Sequence, residues 1–159
     1  MEISKAYEEY VISKTMIQLE RASLEELKIT KNIEEITMPL HSELTFSFRI
    51  NGIVNNKIDA FLKTVVECKN TWDGESAIEI ETVYRGTFLA KEEIGIDEFN
   101  HFVEVQTVPQ LVPYVRALVA SLSAQMNIDP IILPTMDIIQ SLIQNAKSNE
   151  SVGQDESNN

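Results

Sequence analysis

PQLVPYVRALVASLSAQMNIDPIILPTMDIIQSL, residues Pro109–Leu142, holds only three charged groups, Arg116, Asp129 and Asp137. Its spacing reads as a helix, a proline-bounded apolar loop and a second helix. Pro109 and Pro113 sit where a helix start tolerates proline, in or before the first turn. Leu111, Val115, Leu118 and Leu122 form one stripe at helical spacing, and Val112, Val119 and Met126 form another beside it. An apolar arc that wide is covered on more than one side. Asp129-Pro130 ends the helix. Ile131-Ile132-Leu133-Pro134 cannot be a helix interior and is unusually apolar for a loop. Thr135 can N-cap the second helix, whose apolar side is Ile138, Ile139, Leu142 and Ile143.

Upstream lies the surface this segment covers. In Leu44–Ile50 apolar and polar residues alternate without a break, the mark of a strand with one buried face. Asn51-Gly52 and Asn55-Asn56 supply a turn or loop. Lys57–Lys69 is a longer strand whose second face is not purely polar, since Phe61 and Val65 oppose Leu62 and Val66. Trp72-Asp73-Gly74 marks a tight reversal. Ser76–Ala90 is the third clear strand. Ile78, Ile80, Thr82, Tyr84, Gly86 and Phe88 share one face; Ala77, Glu79, Glu81, Val83, Arg85 and Thr87 share the other. Gly86 inside the strand signals a bulge or a close backbone approach. Residues 91–108 read as the connection between sheet and helices.

Met16–Ile29 is open to two readings. Its Leu, Glu, Arg and Ala content favours helix, and the pairs Met16/Leu19 and Leu24/Leu27 are three apart. Residues 1–15 fit a short helix or a loose arm. The Ser-, Asn- and Gln-rich end, 147–159, has the composition of a disordered acidic tail. The expected organisation is an arm (1–15), one domain (16–146) and that tail.

With 159 residues, 25 acids and 13 bases, the chain has a net charge of -12. Such a chain is repelled by nucleic-acid phosphates and anionic membranes. Cys68, the one cysteine, allows no intrachain disulfide and no cysteine metal cluster. MEISKAYEEY lacks the layout of a signal peptide, and no apolar run approaches a membrane span. The expectation is a soluble, cytoplasmic protein. His41 and His101 are isolated, Cys68 reads as a buried structural thiol, and no phosphate-cradling glycine motif occurs. No catalytic residue, metal or cofactor is expected, and the chain is read as a non-enzyme.

Three stretches resemble the SecB family of export chaperones. Pro109-Gln110-Leu111-Val112-Pro113-Tyr114-Val115-Arg116 is similar to the signature that opens that family's long helix, with Val115 in place of the usual Ala. Ile132-Leu133-Pro134, with Asp137 and Ile138 after it, resembles the family's proline segment. Ile80-Glu81-Thr82-Val83-Tyr84-Arg85-Gly86-Thr87-Phe88 matches its acidic strand, Glu, Gly and Phe at the same spacing. The likeness spans roughly Met16 to Leu142 and turns Met16–Ile29 toward strand. It implies an α+β fold: a four-stranded antiparallel sheet with two C-terminal helices packed on one face.

The resemblance also implies a role. Family members hold unfolded preproteins in apolar grooves without ATP and hand them to the motor SecA. Carried over, the client-binding residues are Tyr84, Phe88, Leu111, Val112, Ile128, Ile131, Ile132 and Leu133. A SecA-type partner would meet Glu79 and Glu81, although Glu79 stands where the family has an apolar residue. Tyr114, Leu118 and Leu122 would join protomers in a dimer of dimers. Ser148–Asn159 lacks the basic residues of the family's second SecA contact. Two other readings keep the fold: a dedicated chaperone of one partner, such as an antitoxin, or a non-chaperone interaction protein.

Overall fold

The computed structural model describes residues 2–133. In them the chain runs α1 (Glu2–Met16), β1 (Ile17–Lys31), β2 (Leu40–Ile50), β3 (Lys57–Asn70), β4 (Ser76–Ala90) and α2 (Ile96–Gln125). The second helix expected from Thr135 and the acidic tail lie outside the described residues. The strands form one antiparallel sheet in the order β1-β4-β3-β2. β2 and β3 are joined by a loop in which Asn55 and Asn56 take positive φ of 52° and 59°. β3 and β4 are joined by the expected reversal, with Gly74 at φ 71° and the Glu75 amide donating to Asp73 Oδ1 at 2.9 Å. Asn32–Pro39 carries the chain from one sheet edge to the other, and Ile33 and Ile36 on it pack against the core.

The two faces of β4 divide as its alternation predicts. Ile78, Ile80, Thr82, Tyr84, Gly86 and Phe88 are buried, while Glu79, Glu81, Val83, Arg85 and Thr87 are half-buried on the opposite face. α2 lies over the buried face. Leu62 and Val66 of β3 meet Val108, Leu111, Val112, Val115 and Val119 of α2 in the main core. Each such side chain taken from water contributes about 1.5–3 kcal/mol. A second cluster joins Ile17, Ile58 and Phe88 to Phe99, Phe102 and Val103 near the start of α2.

One sequence expectation needs correction. The long helix begins at Ile96, not at Pro109, so residues read as a connection supply its first three turns. Pro109 and Pro113 therefore lie inside the helix. Each removes an amide donor, which costs a helix interior about 3 kcal/mol. The offset is visible upstream: Phe99, Phe102 and Val103 continue the apolar stripe backward and bury against the sheet. Asp97 and Glu98 sit in the first turn, where acids favour a helix N-terminus.

Met16–Ile29, where composition favours helix and the resemblance favours strand, forms β1 from Ile17 onward, while Met16 ends α1. β1 pairs along its length with β4, and Glu20 and Glu25 are extra residues on the β1 side of the ladder. Each extra residue shifts the facing parity of the residues beyond it. Leu24 lies opposite Tyr84 and Leu27 opposite Thr82, both on the α2 side of the sheet. The three-residue spacing of Leu24 and Leu27, which imitates a helix, is the trace of the bulge at Glu25.

The N-terminal residues form a helix, α1, tied to α2 by a buried polar cluster. Gln106 Nε2 donates to Ser13 Oγ at 2.7 Å and to the Tyr10 carbonyl at 3.1 Å. The Ser13 hydroxyl donates to that same carbonyl, and Gln110 Nε2 donates to Gln106 Oε1. Ser13 and Gln106 are both fully buried, so each needs these partners.

Candidate polypeptide-binding surface

The residues assigned to clients by resemblance divide into two groups. Tyr84, Phe88, Leu111, Val112, Ile131 and Leu133 are buried in the core of the protomer. Phe88 and Leu111 have no exposed surface, and Leu111 lies directly over Gly86, where a Cβ would stand 3.1 Å from its Cδ2. The Tyr84 ring lies 6.0 Å from that of Tyr114, and its hydroxyl reaches the Tyr114 carbonyl at 3.5 Å. A client meets these six only if α2 or the loop after it moves. Ile128 is half-buried and Ile132 is 84 % exposed.

The loop that carries them folds back on α2. Met126 caps the helix, Asn127 takes a φ of 56°, and the Ile128 amide donates to the Ser123 carbonyl at 3.2 Å. Buried Ser123 Oγ accepts from the Ile131 amide at 2.9 Å. Alternate residues then diverge: Ile131 and Leu133 point into the core and Ile132 points to water.

The open apolar surface lies on either side of α2, on strands that sequence reasoning did not single out. On β1, Leu24, Leu27 and Ile29 share the helix side and are 40 %, 40 % and 39 % exposed. On β2, Leu44, Phe46 and Phe48 occupy the same side and are half-buried, packed against the rim of the main core. One helix is about 10 Å wide and four strands span about 14 Å at their usual spacing, so the outer strands are left partly uncovered. The β2 alternation was legible; that β2 is an edge strand was not, because edge position follows from strand order. Tyr114 is exposed on α2, and Leu118 and Leu122 are half-buried there.

The opposite sheet face is polar and mixed in sign. Glu79 faces Thr30 and Glu67 across its neighbours, and Glu81 faces Lys28 and Val65. Lys69 Nζ donates to Glu43 at 3.0 Å and holds that carboxyl below its ordinary range. Burial alone would raise the Asp59 pKa, but hydrogen bonds from Arg85 and Thr87 and the Arg85 charge outweigh it, so the value is lowered. The Phe61 ring lies between two guanidinium groups, Arg49 at 4.3 Å and Arg85 at 5.8 Å. Cys68 is fully buried with Ser42 Oγ 3.7 Å from its Sγ, and burial pushes the thiol pKa up. Among the described residues no three His, Cys, Asp or Glu side chains gather as metal ligands, and no helix is long and apolar enough to cross a membrane.

The fold is of the SecB-like type. It superposes on the Mycobacterium tuberculosis Rv1957 SecB-like chaperone, solved in complex with a ChAD peptide from the Rv1956 HigA1 antitoxin, with a TM-score of 0.67. The match covers 83 % of this chain and 99 % of that one at 12 % identity. A protein of unknown function from Streptococcus agalactiae gives a TM-score of 0.44 at 15 % identity, over 75 % of this chain and 97 % of the other. By sequence, an uncharacterised protein of Methanocaldococcus jannaschii is 31 % identical over 99 residues, 62 % of this chain. The aligned part spans 63 % of that relative's length. No family model matches the chain.

Proposed function

We propose that this protein is an ATP-independent holdase chaperone of the SecB-like type, binding non-native polypeptide segments on the apolar rows that flank α2. The observation that carries this is the pair of rows themselves, Leu24/Leu27/Ile29 and Leu44/Phe46/Phe48, left partly uncovered on a SecB-like frame. An unfolded chain offers scattered apolar segments. Each CH₂ buried contributes about 0.8 kcal/mol, and several weak contacts along one chain reinforce each other. No nucleotide, cofactor or catalytic step enters this reading. A net charge of -12 keeps a protein with such rows soluble. The reading places the protein in the cytoplasm, with export clients and SecA as the natural partners if Glu81 serves as in the family and Glu79, which has no family counterpart, joins it. Self-association through Tyr114, Leu118 and Leu122 into a dimer of dimers belongs to the same proposal.

A second reading keeps the surface and narrows the client to one dedicated partner. It is favoured by the peptide of the Mycobacterium tuberculosis neighbour, which comes from an antitoxin. Light scattering of a reduced or urea-diluted aggregating client, without ATP, tests the proposal when run beside the mass of the free protein. Suppression near one-to-one stoichiometry supports the general holdase. Suppression of one co-purifying small protein alone supports the dedicated form. No capture of any unfolded chain at micromolar concentration removes the chaperone reading. Ser in place of Phe46 and Phe48 should weaken suppression, whereas Ser at buried Ile131 or Leu133 should chiefly destabilise the fold.

A further inference from the structure

The sheet face turned away from α2 is sorted by sign along its strands. Arg85, Phe61 and Arg49 lie abreast on β4, β3 and β2. Six residues along, Glu79, Glu67 and Glu43 lie abreast on the same three strands. Two rows separate them. One holds Glu26, Val83 and Lys63, and the next holds Lys28, Glu81 and Val65. The face is basic at one end and acidic at the other, and it balances between those middle rows.

Several of these charges are not matched within the protomer. Arg49 is exposed, its Nη1 donates to Asn51 Oδ1 at 2.8 Å, and its guanidinium stacks on Phe61. It makes no ion pair among the described residues. Lys63, Lys28, Glu26, Glu79 and Glu81 make none there either. Arg85 is held by Asp59, and Lys69 is shared by Glu43 and Glu67.

We infer that this face receives a second copy of the chain, related by a half-turn about the line that crosses the strands between the two middle rows. Two sheets stacked in this way run antiparallel, within the roughly 30° of alignment that sheet packing favours. The half-turn exchanges the rows. Arg85 of one copy comes over Glu79 of the other, Arg49 over Glu43, and Glu26 over Lys28. A twofold contact makes each of these pairs twice. Half-buried Val83 and Val65 lie beside the axis and give the contact an apolar centre.

Charge selects the occupant. A net charge of -12 sets most surfaces of two copies against each other. On this face each row of a second copy meets its opposite sign. A uniformly acidic or basic partner would match one end of the face and be repelled by the other. From Asp59 to Lys69 the face is about 33 Å long, and four strands are about 14 Å wide. That area, on the order of 450 Å², falls short of the roughly 800 Å² per partner of a standard interface, so the association is weak and concentration-dependent. The stack leaves the apolar rows beside α2 open and does not depend on the chaperone reading. It covers Glu79 and Glu81, so a partner bound to those acids would compete with it.

The test follows the mass of the full chain by light scattering over rising concentration. Arg49→Glu and Glu43→Arg each set like charges opposite one another, so each variant should keep the mass of the dilute protein where the parent's rises. Glu43 and Arg49 lie about 20 Å apart along β2 and cannot touch within one protomer. Mixing the two variants pairs opposite charges again and should restore the rise. Lys63 is exposed on an inner strand beside the axis. Lys63→Cys should form an interchain disulfide under mild oxidation, and Lys57→Cys, at the far end of the face, should not. A parent mass that never rises, single variants that rise like the parent, or a mixture that does not recover overturns the stack. Recovery on mixing without the Lys63→Cys disulfide assigns the contact to edge-to-edge pairing of two β2 strands and overturns it too. Far-UV circular dichroism checks that both charge variants fold; where one does not, the Lys63→Cys result decides.

Discussion

Gly86 shows how much one side chain decides. A Cβ there would lie 3.1 and 3.2 Å from the two Leu111 methyls and 3.1 Å from the Phe88 ring. Leu111 and Phe88 are fully buried and have no room to retreat. Gly86→Ala should therefore destabilise the fold by about 1–3 kcal/mol, read as a lower urea midpoint with an unchanged slope. Asp59 carries a pH-dependent share of stability. Its pKa is lowered in the fold, so its contribution is present above the unfolded value of about 4 and lost as pH falls through the folded one. Asp59→Asn should cost stability at neutral pH, and the gap from the parent protein should close as pH drops below about 4, in urea titrations across that range.

At the scale of elements, α2 is a helix held by what it covers. Its interior prolines work against it, yet twelve of its residues are buried, from Phe99 to Ser123, and that burial outweighs the missing donors. Pro113 is exposed, so its ring contributes little packing. Pro113→Ala should raise stability by about 1–3 kcal/mol by restoring an amide donor, measured by denaturant unfolding. A fall instead would show that the ring sets the course of α2. β1 is the opposite case, a segment of helix-favouring residues made into a strand by pairing with β4. Its two bulged residues, Glu20 and Glu25, are polar, which suits positions that leave the ladder.

At the scale of the molecule, four strands under one long helix leave two apolar rows, one on each edge. The β1 row continues toward α2, where Tyr114 is exposed. If protomers associate over this side, Leu24→Ser with Leu27→Ser should lower the mass of the free protein measured by light scattering, while Phe46→Ser should not. The reverse result would exchange the roles of the two edges. Burial of about 800 Å² on each protomer is the scale a stable contact needs.

Local pattern determined much of this protein by itself. The alternation in β2 and β4, the Asp-Gly reversal before β4 and the close approach at Gly86 are short-range consequences of side-chain period and glycine's missing Cβ. They were readable without a fold, and with the SecB resemblance they led to the four-stranded sheet and its covering helix. Tertiary structure alone decided the rest. Whether Leu24 and Leu27 mark a helix or a bulged strand depends on β4, more than fifty residues away in sequence. Whether Phe88 and Leu111 face a client or each other depends on where α2 lies, because a buried row and a binding row have the same composition. Strand order made Phe46 and Phe48 an edge, since among the described residues the pairing of β1 with β4 leaves β2 with a single neighbour, β3.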